Sequence, residues 1–453
     1  MEVNSERLTS GQLKTLVGLT PDFVNLKVST GSDADEIKSS ATNSLSYAQA
    51  NSEFLELLQQ LIHDENVPLF FDRHAYFSGS IWIRNNGMHH YYVRVAELAW
   101  NAYLKQKAEP LDISIRPSTP HGLSSYITVR TLEQTGCSVL TIGRSGISGY
   151  WKLFKGIGRD RKPVKLNYLD EASQHAYVDS VSTFVSNVQS TYENAIPDYE
   201  KRRLDRNKNR IFYLPTIVKQ NLKRPSWVVN SYLSWRAMKQ LSTNHEAWVG
   251  KKHIIFFLQY QPERTSLPEA YGFTVQINAL LALRSCAPAD VNILVKEHPS
   301  SFTNLCHPLY RTASFYRKIA AIPGIDIVEP ETDTFALIDS ALCVATLTGT
   351  VGLEALIRGK PAIFFGLSMI EGVTGQHVYT SPEKLVEFIG QASEAKFPPE
   401  NVVQSVKQAL YDDADYTFRS DEPEAFSTNL ATLYTLLKNL FENGDALRSL
   451  AAD

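Results

Sequence analysis

The sequence predicts an α/β fold of two domains, each a parallel sheet flanked by helices. Three observations carry this. The chain has 453 residues, more than one core ordinarily organises, so two domains of about 180–200 residues are expected. Apolar runs of strand length alternate with helical periodicities in both halves. Turn residues separate these runs at nearly every junction.

Taken in order, residues 1–50 are polar and rich in Ser, Thr and Asn, and read as an N-terminal extension, partly ordered at most. A first α/β domain is expected over 51–248. It opens with a helix at 52–63 and a strand at 67–71 in "VPLFF", followed by the amphipathic helix "HHYYVRVAELAWNAYLKQ". Strand "LDISI", loop "RPSTPHGLS", helix "SYITVRTLEQTG" and strand "CSVLTIG" continue it. Residues 180–245 read as mainly helical. Within them, 201–224 holds nine Lys or Arg against the single acid Asp205. Such a run is either a solvated face or a cationic surface for anionic lipid or an anionic acceptor.

A second domain is expected over 249–380, with strands at 253–258, "VNILV", "IDIV", "ALCVAT" and "AIFF". Helices intervene, one of them capped near Asp333. Residues 381–453 read as C-terminal helices. The formal net charge of −3 gives no global attraction for nucleic acid. Cys137, Cys286, Cys306 and Cys343 form no Cys-x-x-Cys pair and sit in or beside apolar segments, which predicts buried free thiols in a reducing compartment. Neither a signal pattern nor an apolar run of about 20 residues is present, so a soluble, cytoplasmic protein is expected, with peripheral contact at the inner membrane face as an option.

In open α/β sheets ligands bind beyond the carboxyl ends of strands. In the second half those ends carry polar loops. Gln259, Gln261 and Glu263 follow the first strand, and Lys296, Glu297 and His298 the second. Glu329 and Glu331 follow the third, and Thr346, Thr348, Gly349 and Thr350 the fourth. In "TGTVGLEAL" the glycines Gly349 and Gly352 allow close backbone approach, and Thr348 and Thr350 offer hydroxyls. A helix begins there with unpaired N–H groups, which suits a phosphate. The stretch equally suits a capped helix with glycines for packing. It is not a P-loop, because no Gly-Lys-Ser/Thr follows. Glu354 is expected either to reach a ribose hydroxyl or to favour the helix dipole. Strand alternation places Lys296 and His298 on one side, toward one anionic ligand, and Glu297 on the other, buried or paired elsewhere.

The stretches "QYQPE", "VKEHP", "FYRKIAAIPGIDIVEP" and "DTFALIDSALCVATLTGTVGLEALIRGKPAIFFG" resemble the C-terminal half of bacterial surface-polysaccharide biosynthesis proteins. They are similar in particular to the capsule-synthesis group that includes Kdo transferases, across roughly 253–366. The resemblance implies a GT-B fold, two Rossmann-like domains with parallel sheets facing a central cleft. The donor nucleotide would bind the C-terminal domain and the acceptor mainly the N-terminal one. It further implies that His298-Pro299 and Thr348-Gly349-Thr350 hold the donor phosphate, and that Glu329 or Glu331 holds the ribose. Thr-Gly-Thr stands where some relatives carry paired serines.

An inverting glycosyltransferase needs a base on the acceptor hydroxyl; a retaining one does not. Loops in the N-terminal half supply His121, Asp72 and His74, of which His121 and Asp72 are favoured. Arg73 and Arg84 are candidates for an acidic sugar's carboxylate. Asp33-Ala34-Asp35 and Asp413-Ala414-Asp415 fit an Asp-x-Asp pattern but follow no strand, so no metal is expected and the nucleotide sugar is the only small molecule required.

The leading reading is a metal-independent glycosyltransferase moving a sugar, such as Kdo from a CMP-activated donor, to a glycan or glycolipid acceptor. The alternatives are a nucleotide-sugar epimerase or hydrolase of the same fold, and a non-catalytic nucleotide-sugar-binding assembly protein docking through 201–224.

Overall fold

A computed structural model describes residues 2–4, 24–29, 47–64, 66–70, 81–111, 113–116, 118–158, 161–165, 171–191, 225–302 and 309–419. The chain divides into two compact units. One is Met1–His175 with Asp413–Asp453, the other Ala176–Asp412.

The first unit contains β1 (Glu2–Asn4), β2 (Val24–Ser29), α1 (Tyr47–His63), α2 (Ile81–Ala108), β3 (Ile113–Arg116), α3 (Leu123–Gln134), β4 (Ser138–Arg144), β5 (Tyr150–Lys155) and β6 (Lys162–Pro163). The expected extension over 1–50 thus contributes two strands. All of β3 is buried, as a strand covered on both faces should be.

This sheet is mixed, which corrects the expectation of a parallel one. β3 and β4 run parallel, but β2 is antiparallel to β3 and β5 antiparallel to β4. The cause is local. Only five residues join β4 to β5, too few for a crossover, and Gly146 and Gly149 turn the chain at φ of 95° and 83°.

The strand expected at 67–71 is instead helical over 66–70. Asp64 Oδ1 accepts the Asn66 N–H at 2.9 Å, and Pro68 falls in the first turn, where its missing N–H costs nothing. Phe70 then packs on Tyr126, ring centroids 4.7 Å apart.

The second unit holds α4 (Glu171–Gln189, which begins in the first), α5 (Pro225–Leu241), β7 (Ser242–Thr243), β8 (His253–Phe257), α6 (Gln276–Cys286), β9 (Asn292–Lys296), α7 (Ala313–Ala320), β10 (Ile325–Val328), α8 (Thr334–Ser340), β11 (Cys343–Thr346), α9 (Thr350–Ile357), β12 (Ala362–Phe364), β13 (Gln376–Val378), α10 (Pro382–Ser393) and α11 (Pro399–Asp412). Its sheet is parallel throughout, in the order β13-β12-β11-β8-β9-β10-β7. Leaving aside the short edge strand β7, this is the doubly wound order 3-2-1-4-5-6, with its switch point between β8 and β11. Ile254, Phe256, Leu280, Leu283, Ile293, Val295 and Tyr316 are completely buried around it. Each such side chain contributes about 1.5–3 kcal/mol, so the sheet is the unit's main source of stability.

The unit boundary falls at 175/176, whereas the αβ rhythm suggests 248/249. Contacts explain the difference: β7 pairs with β10, and Asn230 and Ser234 of α5 bond the Arg311 carbonyl in the same unit. Beyond α11 the chain returns to the first unit, where β14 (Thr417–Arg419) pairs antiparallel with β5. The fold is α/β: two units, each with its own sheet, and a C-terminal segment that rejoins the first.

Asp413 pairs with the buried Lys152, and Asp415 lies 2.9 Å from Lys165, so this Asp-x-Asp pair holds the returning segment. Asp33 and Asp35 lie outside the described residues. Cys137, Cys286 and Cys343 are buried free thiols; Cys306 lies outside the described residues.

Candidate functional site

At the carboxyl end of the second sheet, Lys296, Phe257, Thr346 and Phe364 stand opposite one another across four strands. Two residues further along the first three chains come His298, Gln259 and Thr348. These positions span two strand gaps, about 10 Å in all, on either side of the switch point.

The end of β9 is anchored from below. Glu297 is completely buried; its carboxylate accepts from Arg311 Nε at 2.8 Å, Tyr316 Oη at 2.6 Å, Ser301 Oγ at 2.8 Å and the His298 N–H at 2.8 Å. Burial alone raises the carboxyl's pKa. Arg311's charge and hydrogen bonds, with those of Tyr316 and Ser301, outweigh it and hold the group ionised below its ordinary value. Arg311 also donates to the Gln261 side-chain oxygen at 3.0 Å and the Gln259 carbonyl at 2.8 Å. The Gln276 amide closes the network on Gln259 and Gln261. Glu297 is buried, as expected, whereas its partner Arg311 is not among the expected residues. Its one signal is an arginine directly before the capping residue Thr312 of an amphipathic helix.

His298 sits above this anchor, half-buried. Its Nδ1 accepts the Ser300 N–H at 3.1 Å, so the neutral ring carries its proton on Nε2. The ring meets Tyr260 at 5.8 Å between centroids, another residue the sequence reading passed over.

At the end of β11 the materials differ. Gly349 occupies the cap position of α9 and makes no side-chain cap; its carbonyl accepts the Gly352 N–H at 3.1 Å, and the Thr350 and Val351 amides are left without a capping side chain. A Cβ on Gly349 would stand 2.8 Å from Thr346 Oγ1 and 3.4 Å from Gln259 Oε1, so the turn admits only glycine without a shift. Gly352 has a different purpose from the one expected. A Cβ there would lie 2.4 Å from the Phe364 ring, so this glycine seats α9 on β12 rather than opening the backbone to a ligand.

Several expected ligand residues are committed within the protein. Lys296 is buried and donates to the Pro330 and Thr332 carbonyls, fixing the loop after β10, so it does not share His298's outlook. Burial pushes its pKa down to about 8 against the pull of Asp333 and Glu331. Gln261 is buried in the Arg311 network. Thr348 is buried and donates to the Thr265 carbonyl at 2.8 Å. Glu331 pairs with Lys239 of α5. Thr350 is exposed at the start of α9, its hydroxyl bonded to Glu354, whose pKa burial pushes up to about 7 against that bond and Arg358. Glu329 is exposed at the end of β10. His298, Gly349, Thr350 and Glu329 therefore remain as the outward members of the expected set.

In the first unit His121 is exposed between β3 and the start of α3. Asp72, Arg73 and His74 lie outside the described residues, and the strand thought to present them is the helical turn 66–70. Arg84 falls within α2. Among the described residues no group of three or more His, Cys, Asp or Glu is gathered as a metal site requires, and no helix is long and apolar enough to cross a membrane.

Residues 187–396 match the family described as capsule polysaccharide biosynthesis protein. No curated protein matches the chain. Among solved structures it is similar to KpsC, beta Kdo 2,7 transferase, of Thermosulfurimonas dismutans, at 14% identity and TM-score 0.29 over 66% of this chain and 79% of that one. Anabaena Alr3699/HepE in complex with UDP-glucose matches at 13% identity and TM-score 0.28, over 44% and 53%. UDP-GlcNAc 2-epimerase of Methanocaldococcus jannaschii, in complex with UDP-GlcNAc and UDP, matches at 9% identity and TM-score 0.24, over 77% and 82%. All three structural likenesses are distant. The match to the capsule polysaccharide biosynthesis family covers residues 187–396, a little under half of the chain.

Proposed function

We propose that the chain is a glycosyltransferase moving a sugar from a nucleotide-activated donor to a glycan or glycolipid acceptor in surface polysaccharide synthesis. The donor we assign is an acidic sugar such as Kdo carried on cytidine monophosphate. The observation that carries this reading is the pairing of His298, its neutral proton on Nε2, with the uncapped start of α9 at the switch point of a doubly wound sheet.

In the reaction, the bond from the anomeric carbon to the phosphate oxygen breaks and its electron pair passes to the departing phosphate. The acceptor oxygen bonds to that carbon and gives up its proton. His298 Nε2–H and the first amides of α9 meet the growing negative charge with donors already in place, where such stabilisation is most effective. Glu329 takes the ribose hydroxyls. His121 is the described residue assigned to receive the acceptor's proton; Asp72 is its companion candidate. With these donors the departure needs no divalent ion.

The test is release of cytidine monophosphate from a CMP-activated acidic sugar, with and without glycolipid acceptor. The expected result is acceptor-dependent release that persists in EDTA and is lost in His298→Ala. Epimerised sugar formed without acceptor would replace this reading with the epimerase. A preference for uridine nucleotides would overturn the cytidine assignment and leave sugar transfer standing.

A further inference from the structure

Helix α5 is amphipathic in the reverse of the usual sense. The face it turns to α7 and β10 is lined by Ser231, Ser234, Ala237 and Met238, all buried. Its opposite face carries Val228, Val229, Tyr232, Leu233 and Trp235, which are 38–57% exposed. Surface helices ordinarily turn their large apolar side chains to the core. A band of five on the outer face of one helix marks an interaction surface, because isolated apolar exposures do not cluster this way.

Charge narrows the partner. Residues 225–241 contain no acid; Arg236 is exposed near the end of the helix, while Lys239 in its last turn is paired with Glu331. The 24 residues directly before it carry nine Lys or Arg and one acid, so 201–241 holds eleven basic residues against Asp205 alone. A nucleic acid would meet the cations and leave the apolar band in water. A second copy related by a two-fold axis would bring two strongly basic regions together. An anionic bilayer satisfies both features: Val, Leu and Trp enter the acyl boundary, Tyr and Trp suit the headgroup level, and the cations meet lipid phosphates.

We propose that the outward face of α5 is a docking surface for an anionic phospholipid bilayer. It would hold the chain at a membrane where lipid-linked substrates reside, without inserting a helix across it.

The test is flotation of the full chain with vesicles of phosphatidylcholine alone and of phosphatidylcholine with phosphatidylglycerol. The wild type should float with the anionic vesicles and not with the neutral ones. The double substitution Val229→Ser with Leu233→Ser should weaken this about tenfold or more while leaving thermal unfolding unchanged, and Trp235→Gln should give a smaller loss. The proposal is overturned if the wild type ignores anionic vesicles, or if both variants bind as the wild type does. It is also overturned if sedimentation without lipid reveals a dimer that the double substitution dissociates.

Discussion

At the end of β9 the protein spends its polar side chains on itself. At the end of β11, two strands away, it offers backbone. Glu297, Arg311, Tyr316 and Ser301 form a buried, mutually satisfied set whose visible product is the fixed pose of the His298 ring. Around Gly349 the sequence instead shrinks its side chains, and the start of α9 is left without a side-chain cap. A ligand site built this way has one rigid imidazole and one open helix end. Polar residues at a strand end are thus of two kinds, and residue type alone does not separate them. Lys296 and Gln261 hold the loops, whereas His298 faces out.

The sharpest way to break the comparison is to remove the anchor. Arg311→Met leaves Glu297 buried without its counter-charge and should cost about 3–5 kcal/mol in chemical denaturation. Adding Glu297→Met to Arg311→Met should recover much of that loss, since the pair then goes as a unit. His298→Ala touches the product of the anchor rather than the anchor. It should leave the unfolding temperature near wild type and lower nucleotide affinity by about 1.5–3 kcal/mol in calorimetry, the size of a hydrogen bond to a charged group.

Glu354 gives the β11 side its own pH dependence. Its folded-state pKa is raised to about 7 from 4.5, so its proton stabilises the fold fully below about 4.5. That contribution is lost as pH rises through about 7. Solvent still reaches part of this half-buried side chain, so the loss should be about 1–2 kcal/mol, and Glu354→Gln should flatten stability between pH 5 and 8. Thr348→Val should have the smallest effect. It removes the bond to the Thr265 carbonyl at about 1 kcal/mol of stability and leaves nucleotide affinity almost unchanged. A large affinity loss there would return Thr348 to the ligand side.

Much of the second unit was legible in the sequence because its signals are local. The apolar runs at 253–257, 292–296 and 343–346 mark strands, and Asp333 caps α8 through its bond to the Ala336 N–H at 2.7 Å. Glu297 was expected on the inner side by strand alternation, and it is there. What sequence patterns missed depends on distant partners. Lys296 reaches carbonyls 34 and 36 residues ahead, and Arg311 bonds Gln261 50 residues back. Periodicity carries no information about either. "VPLFF" failed for another reason: a short apolar run suits a strand or a buried helical turn equally, and the Asp64 cap decides for the turn. The alternation in "VNLKVS" was readable as β2 but was outweighed by the polar composition around it.

The most direct test of the central claim is thermal shift of the full chain with cytidine, uridine and guanosine nucleotides, on wild type and His298→Ala together. The account predicts that a cytidine nucleotide raises the wild-type unfolding temperature, and that this shift vanishes in His298→Ala although the free variant unfolds where the wild type does. A shift of equal size in His298→Ala would contradict it.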